Sequence, residues 1–298
     1  LVGIGKIAVD QHVPSINASS DWELAATVSR NGAVDGVAAY GDMDEMLSAR
    51  SDIPVVSLCL PPVPRYEYAM KAIKAGRHVM LEKPPGATLS ECHALADAAK
   101  GQGIALFATW HSREAAAVDA AHDWLRGRSV TGAHITWHES VRKWHPGQEW
   151  IFEPGGMGVF DPGINALSIL TRILPMPVHL TSAVLSFPQN RQTPIAAELS
   201  FTRNVTASFD WRKDDGETWQ MHVDTNDGRL ELLDGGARLR VDGAEVSTGE
   251  DAGEYPRLYA QMTACVTGTK IDMDLAPMRH VADAFTLGAR QTVEPFTW

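Results

Sequence analysis

The sequence places a lysine and two prolines directly after an apolar run, in Leu81-Glu82-Lys83-Pro84-Pro85. Ligands of open parallel sheets bind at the carboxyl ends of the strands, so an ammonium group there can take part in chemistry. Pro84 also biases Lys83 toward extended backbone geometry. We therefore predict that Lys83 is a reactive group, and the alternative is an ordinary charge at an exposed strand end.

A second candidate site lies in the stretch GGMGVFDPGINALSILTRIL. Asp161 followed by Pro162 predicts the start of a helix, with Asp161 as its N-cap. Asn165 is four residues further on and therefore shares a helix face with Asp161. Gly155 and Gly156, just before, would allow a ligand to approach closely. We predict that Asp161 and Asn165 contact a substrate; the alternative is that Asp161 only caps the helix.

The stretches FATWHSRE and WHESVRKWHPGQEW are unusually rich in tryptophan and histidine. Tryptophan faces stack on the C–H surfaces of sugars, and His and Glu side chains pair with vicinal hydroxyls. The predicted ligand contacts are His111, Glu139, Trp144 and His145. Trp110, Trp137 and Trp150 fit a protein core as well as a pocket. No metal is predicted, because no tight His-x-x-x-His or His-Glu-x-x-His spacing occurs.

A nucleotide-binding pattern opens the chain as Gly3-Ile4-Gly5-Lys6-Ile7-Ala8, the G-x-G-x-x-A spacing. Its glycines allow a tight strand-to-helix turn and let the backbone approach a pyrophosphate at the helix N-terminus. A preceding strand and a following helix strengthen this weak motif. The predicted cofactor contacts in this segment are Gly3, Gly5, Lys6 and Ile7.

The second predicted strand ends in Ser29-Arg30-Asn31, where an NAD enzyme would place a carboxylate for the ribose 2′-hydroxyl. A hydroxyl and a guanidinium instead bind a 2′-phosphate. NADP is therefore the predicted cofactor, with Ser29 and Arg30 as contacts. The alternative is that Arg30 is a solvated surface charge and NAD also serves.

The elements that position these residues show two different hydrophobic patterns along the chain. Up to about residue 111, nearly continuous apolar runs alternate with helical segments, which predicts a doubly wound parallel sheet. After about residue 177 the strands alternate apolar and polar residues between turn signals, which predicts an antiparallel meander, and two helical segments follow at about 254–268 and 277–289. The predicted fold is α/β, with a nucleotide-binding domain over 1–112 and an α+β domain over 113–298 that carries an open, mainly antiparallel sheet.

The bulk composition excludes several classes of partner. The chain has 298 residues and a net charge of −11, which disfavours nucleic acid. No apolar run approaches the length of a membrane span. Three cysteines, far apart and odd in number, suit neither a disulfide framework nor a metal site, so a cytoplasmic protein is predicted. An open sheet with one uncovered face usually needs a partner, which predicts a homodimer or homotetramer.

Three motifs together resemble the Gfo/Idh/MocA oxidoreductases: G-x-G-x-x-A at the start, LEKPPG after a later strand, and GGMGVFDPGIN beyond the first domain. The resemblance covers essentially the whole chain and implies a Rossmann domain followed by a mixed α+β domain. The stretches FATWHSR and WHPGQ are similar to a subgroup of bacterial aldose 1-dehydrogenases that act on L-arabinose and D-galactose.

The resemblance implies roles for several residues. Lys83 would be catalytic and lie beside the nicotinamide, and Glu82 would turn toward the cofactor ribose or a backbone amide. The family usually carries histidine where this chain has Asn165, so the base would be Asp161 or Lys83, and Asn165 would orient a sugar hydroxyl. Leu60 and Pro61 would keep backbone contacts to the cofactor, although Pro62 and Arg65 replace the Asn and His of many relatives.

The activity implied is oxidation of the anomeric carbon of L-arabinose, D-galactose or both to the aldonolactone, with hydride transfer to the nicotinamide of NADP. One alternative is another oxidoreductase of the same family, acting on a different sugar, a diol or an imine. Another alternative is a non-catalytic NAD(P)-binding regulator with the same fold.

Overall fold

The computed structural model describes residues 1–248 and 252–298, and this part of the chain packs into two units. The first unit contains Leu1–His111 and Gly253–Leu275, and the second contains Ser112–Ala252 and Ala276–Trp298. The structure divides the chain at 111/112, one residue before the boundary that the sequence predicts. It also differs from the predicted division because residues 253–275 belong to the first unit.

The reason for this return is a buried apolar and aromatic cluster inside the first unit. Tyr255, Tyr259 and Met262, from the returning segment, pack with Met80 and Phe107 of the N-terminal part. A helix that buries aromatic rings in this way is held by the first unit. Its local sequence does not indicate which part of the chain it packs against.

The strands of the described residues are β1 (Ala26–Val28), β2 (Ala38–Tyr40), β3 (Val55–Leu58), β4 (His78–Leu81), β5 (Leu106–Ala108), β6 (Val130–His138), β7 (Leu180–Pro188), β8 (Ala196–Phe201), β9 (Val205–Asp210), β10 (Thr218–Thr225), β11 (Gly228–Leu233), β12 (Arg238–Val241), β13 (Ala244–Val246), β14 (Ile271–Asp272) and β15 (Ala289–Val293).

The α-helices of the same residues are α1 (Val13–Ala18), α2 (Met43–Ala49), α3 (Pro62–Lys74), α4 (Leu89–Gln102), α5 (Val118–Leu125), α6 (Val141–Trp144), α7 (Phe160–Ile173), α8 (Glu254–Gly268) and α9 (Ala276–Leu287). A π-helical stretch, Ala8–His12, leads into α1, and 3-10 turns occupy His111–Glu114, Glu149–Phe152 and Asp234–Gly236.

The first unit is built on a parallel sheet. β1 pairs with β2, while β3, β4, β5 and β14 form a second hydrogen-bonded set. Val2 bridges Val28 on one side and Leu58 on the other, both in parallel, and so joins the two sets. The resulting order is β2-β1-Val2-β3-β4-β5-β14, the arrangement of a Rossmann sheet with an added edge strand. The predicted doubly wound sheet is confirmed.

The second unit is built on a sheet of nine strands, in the order β13-β12-β11-β10-β6-β9-β8-β7-β15. Most neighbours are antiparallel, but β6 pairs with β9 and β15 pairs with β7 in parallel. β6 therefore separates β9 from β10, which a simple meander would have paired. Side chains of β6 and β9 alternate between buried and more exposed, so one face of the sheet packs against helices that include α7.

Within residues 1–248 and 252–298, the helices are all too short or too polar to cross a membrane. Cys59, Cys92 and Cys265 form no disulfide bond within the described residues.

Candidate functional site

The glycine loop of the first unit has the geometry that the sequence predicts. Gly3 adopts φ 85°, and a Cβ there would lie 2.9 Å from the Leu60 side chain, so only glycine fits. Helical geometry begins at Lys6 and continues through the π-helical stretch into α1. The space around Gly5 is open, since a Cβ there would meet nothing within 4 Å. This open helix N-terminus fits the phosphates of a dinucleotide.

The turn after β1 lies against this loop. Gly32 is packed so closely that a Cβ there would lie 2.7 Å from the carbonyl oxygen of Ile4. Ser29 Oγ accepts the backbone N–H of Gly32 at 3.2 Å, and Arg30 is exposed. Lys6 forms an exposed ion pair with Asp10.

Lys83 is half-buried at the carboxyl end of β4, and the Lys83–Pro84 peptide is cis. Its backbone N–H donates to Glu82 Oε2 at 3.1 Å, which matches the second of the two arrangements expected for Glu82. The Arg65 guanidinium, 2% exposed, donates to the backbone carbonyls of Leu60, Glu82 and Pro84. The loop that carries Lys83 is therefore held by side chains on both sides.

The Glu82 carboxylate is the centre of a buried hydrogen-bonded network. Its Oε1 lies 2.9 Å from His12 Nε2 and also accepts the Tyr255 hydroxyl at 2.9 Å. The other ring nitrogen of His12 lies 2.8 Å from the hydroxyl of Tyr259. Burial alone would raise the pKa of Glu82, but the hydrogen bond and charge of His12 outweigh it and lower the pKa to about 2.

The pKa of His12 moves in the opposite direction. Burial lowers the pKa of a histidine, but the Cys59 sulfur and the Glu82 carboxylate outweigh burial and raise the pKa of His12 well above its ordinary value. The raised pKa of His12 favours the protonated imidazole, which can donate from both ring nitrogens, beside the Glu82 carboxylate. No pattern in the sequence indicates His12, Tyr255 or Tyr259.

His111 also lies in the first unit. Its Nδ1 is 2.7 Å from Glu254 Oε2, and its ring stacks on Tyr255 with centroids 5.9 Å apart. Burial lowers the pKa of His111, but the Glu254 carboxylate outweighs burial and raises it. Glu254 begins α8, so no motif near His111 could have indicated it.

The second unit brings together Asp161 and His145. His145 follows α6, and its Nε2 lies 3.1 Å from Asp161 Oδ2. The predicted N-cap role of Asp161 is wrong, because α7 begins at Phe160 and Val159 is the capping residue. Asp161 is instead inside the first turn, and its carboxylate faces His145. Asn165 is half-buried one turn further on.

Glu139 directly follows β6 and forms the second polar centre of this unit. Its two oxygens accept the indole N–H groups of Trp211 at 3.2 Å and Trp219 at 2.8 Å. Burial raises the pKa of Glu139, as does the nearby Asp161 carboxylate, and the two indole donors only partly oppose this. Trp144 lies against Trp219, with ring centroids 5.6 Å apart. Trp211 and Trp219 lie on either side of the turn between β9 and β10. Two tryptophans around one turn are a sequence pattern that could have indicated these aromatic surroundings of Glu139.

The structure contradicts one expectation from the sequence and decides between two alternatives for a pair of tryptophans. Gly156 does not admit a ligand, because a Cβ there would lie 2.2 Å from the carbonyl oxygen of Trp150. The chain's own backbone fills that space. Trp110 and Trp137, for which core and pocket were both open, are each 5% exposed and belong to the core. The described residues contain no group of three His, Cys, Asp or Glu side chains that could hold a metal ion.

Comparison with known proteins assigns the chain to a family. Residues 1–109 match the Gfo/Idh/MocA oxidoreductase family, NAD-binding Rossmann fold. Over 99% of its length the chain is 39% identical to galactose 1-dehydrogenase of Pseudomonas fluorescens, of which 97% is covered. The chain belongs to the Gfo/Idh/MocA oxidoreductase family. The predicted family, the predicted fold class and the prediction of an oxidoreductase are confirmed.

Solved structures agree with this assignment. The crystal structure of a D-galactose-1-dehydrogenase from Rhizobium etli aligns with a TM-score of 0.95 and 51% identity, covering 99% of this chain and 96% of that one. A 3-ketoreductase from Actinomadura kijaniata aligns with a TM-score of 0.80 at 17% identity over 98% of each chain, which shows a shared fold alone.

Proposed function

We propose that the chain is an NADP-preferring aldose 1-dehydrogenase that oxidises the anomeric carbon of D-galactose, L-arabinose or both to the aldonolactone. The observation that carries this proposal is the close pair of Asp161 and His145 at the start of α7, whose carboxylate oxygen and imidazole nitrogen lie 3.1 Å apart, with Asn165 one turn further on. A carboxylate backed by an imidazole can accept the proton that oxidation of a hydroxyl group releases. The galactose 1-dehydrogenases to which the chain is similar support this substrate class.

The reaction removes a hydride from C1 and a proton from the C1 hydroxyl. The bound nicotinamide supplies the hydride acceptor. Asp161 accepts the hydroxyl proton, and His145 passes it toward solvent, since the His145 side chain is 20% exposed and that of Asp161 only 9%. Asn165 cannot accept a proton at neutral pH, so we assign it the orientation of a sugar hydroxyl.

Lys83 has a complementary role in this proposal. An ammonium group has three donors and no acceptor, so it stabilises the negative charge that develops on the oxygen at C1. Its position at the carboxyl end of a parallel strand supports this role, because ligands of such sheets bind there. The open helix N-terminus after Gly5 supports binding of the cofactor phosphates.

Ser29 and Arg30 are the proposed contacts to the 2′-phosphate of NADP. Arg30 is exposed and follows β1, in a turn that packs on the glycine loop through Gly32. A guanidinium is the preferred partner of a phosphate because it offers several donors in one plane. The remaining proposed cofactor contacts are Gly3, Lys6, Ile7, Leu60, Pro61 and the backbone of the segment that carries Glu82.

The sugar is proposed to contact Glu139 and Trp144, with Trp219 added by its position. Trp219 binds Glu139 and lies against Trp144, so the three side chains form one polar and aromatic surface. Such a surface suits a sugar, which presents both hydroxyls and C–H faces. His111 remains a proposed substrate contact, and Glu254 fixes the orientation of its ring.

We also propose that the chain forms a homodimer or homotetramer through the polar face of the nine-stranded sheet. Residues of β6 and β9 on this face, such as His134, Thr136 and Thr206, are not buried in the described part of the chain. Light scattering after size-exclusion chromatography would measure the assembly, and a single-chain mass would contradict it.

A panel of aldoses with NADP and NAD, followed by nicotinamide absorbance, tests the proposed function. We expect reduction of NADP with D-galactose or L-arabinose. Turnover of a diol or imine instead would favour another oxidoreductase of the family. Tight cofactor binding without turnover of any substrate would favour a regulator.

A further inference from the structure

The backbone on both sides of Lys83 is held by two buried side chains of opposite charge. Arg65 donates to the carbonyl oxygens of Glu82 and Pro84, and also to that of Leu60 in the loop after the neighbouring strand β3. Glu82, 5% exposed, accepts the N–H of Lys83. The carbonyl of Glu82, the amide of Lys83 and the carbonyl of Pro84 are therefore each hydrogen-bonded to a buried charged side chain.

Glu82 is itself unable to turn without breaking other contacts. Its Oε1 is shared by His12 Nε2 and the Tyr255 hydroxyl, while Oε2 holds Lys83. His12 belongs to the π-helical stretch after the glycine loop, and Tyr255 belongs to α8. The orientation of the carboxylate is thus set by two elements that are independent of β4.

Arg65 is held just as firmly. It projects from α3, which begins at Pro62 after a short loop that follows β3, and it is 2% exposed. A guanidinium presents its donors in a rigid planar fork, so binding several carbonyls fixes their relative positions. A lysine at the same place would keep the charge but not the fork.

We propose that Arg65 and Glu82 are positioning residues that together fix the Lys83 side chain for turnover. Glu82 holds the amide of Lys83 from one side, and Arg65 holds the carbonyls that flank it. Neither residue is required to touch the sugar. The inference rests on the proposed function, because it assigns Lys83 a part in turnover.

The test compares Arg65→Lys, Glu82→Gln and Glu82→Ala with the control Arg77→Met. Arg77 also donates to a backbone carbonyl, that of Ser51. It directly precedes β4, whereas Lys83 follows the other end of this strand. Each variant is measured for kcat and KM with D-galactose or L-arabinose, for the NADP dissociation constant, and for the melting temperature.

Hydrogen–deuterium exchange of the Lys83 amide supplies a readout that needs no turnover. Pro84 and Pro85 carry no amide hydrogen, so a fragment spanning Glu82 to Gly86 reports few amides. Lys83 N–H exchange is expected to accelerate in Arg65→Lys and Glu82→Ala, while the rest of the sheet and the control stay protected.

We expect kcat of Arg65→Lys and Glu82→Ala to fall by about 10²-fold, the scale of a small misplacement of a catalytic group. KM and the NADP dissociation constant should change far less than kcat. The melting temperature of Arg65→Lys should change little, whereas that of Glu82→Ala should fall because His12 is left buried without its anion, so kcat is measured well below the melting transition. Glu82→Gln keeps an acceptor oxygen and should lie between Glu82→Ala and the unaltered chain. If Glu82→Ala does not fold, Glu82→Gln and Arg65→Lys carry the comparison.

Unchanged exchange of the Lys83 amide would overturn the proposal, and so would faster exchange with unchanged kcat. An equal loss of kcat in Arg77→Met would also overturn it, since the effect would then belong to any arginine–carbonyl contact along the strand. If the unaltered chain turned over no aldose, the proposed function would fail, and unchanged exchange of the Lys83 amide in the variants would still separately refute the positioning role of Arg65 and Glu82.

Discussion

His145 Nε2 and Asp161 Oδ2 lie 3.1 Å apart, joining the end of α6 to the first turn of α7. The two residues are close in sequence but belong to different elements, and the Trp211 ring packs edge-on against the imidazole at 5.4 Å. This pair replaces the simple helix cap that local sequence predicts. It places a carboxylate beside a more exposed imidazole, the two groups to which we assign the acceptance and release of the proton.

Replacement of Asp161 by Asn tests the assigned base. Asp161→Asn keeps the shape of the side chain but cannot accept the proton, so kcat should fall by about 10²–10⁴-fold. His145→Asn should lower kcat less, since Asp161 remains. Asp119→Asn is the matched control, because Asp119 pairs with Arg172 on the surface of the same unit. Steady-state kinetics of the three variants would decide, and near-normal kcat in Asp161→Asn would move the base role to Lys83.

Lys83→Ala should abolish turnover and leave NADP binding largely intact, because the ammonium group is assigned to the reacting oxygen and not to the cofactor. Lys100→Ala, at the exposed end of α4, is the control. Kinetics and titration of NADP by fluorescence would be measured together. A loss of NADP binding in Lys83→Ala would make the lysine a cofactor anchor instead.

Arg30→Ala tests the cofactor preference. A charge-assisted hydrogen bond contributes about 1.5–3 kcal/mol, so kcat/KM for NADP should fall by roughly 10- to 100-fold. The same variant with NAD is its own control, since NAD has no 2′-phosphate and its kcat/KM should stay unchanged. Parallel losses with both cofactors would contradict a specific contact to the 2′-phosphate.

The buried pair of Glu82 and His12 predicts a definite pH dependence of stability. The pKa of Glu82 is lowered from 4.5 to about 2, so its contribution is complete above pH 4.5 and is lost as pH falls toward 2. The pKa of His12 is raised above 6.5, so its contribution is complete below pH 6.5 and is lost as pH rises through the raised value.

His12→Leu should therefore destabilise the chain by roughly 3–5 kcal/mol at neutral pH, because the Glu82 carboxylate is left buried without its cation. Between pH 4.5 and 2 the variant should lose less further stability than the unaltered chain, since His12 no longer lowers the pKa of Glu82. Urea unfolding across this range measures both effects. His122→Leu, which breaks only a surface pair with Asp123, is the control, and an equal loss there would refute the account.

The fold could be predicted because its signals are local. The glycine spacing at Gly3 and Gly5, the buried runs of β3, β4 and β5, and the alternating strands after residue 177 each carry their own pattern. Helices predicted at about 254–268 and 277–289 correspond to α8 and α9. The order of strands in the nine-stranded sheet could not be predicted from local patterns. β6, which comes much earlier in the chain, lies between β9 and β10.

The surroundings of the predicted site residues depend on contacts between distant segments. Glu82 meets His12 across 70 residues and Tyr255 across 173, and no periodicity links such positions. A strand end and two prolines make Lys83 a candidate from the sequence alone, whereas Arg65, three residues after Pro62 on α3, shows there only as a departure from relatives. Tertiary packing decides which buried charges meet.

The most direct test of C1 oxidation uses D-galactose or L-arabinose deuterated at C1, with mass spectrometry of the reduced nicotinamide. We expect NADPH that carries one deuterium from the sugar, together with the aldonolactone. Unlabelled NADPH would show that another carbon is oxidised, and tight NADP binding without reduction by either sugar would contradict the proposed enzyme.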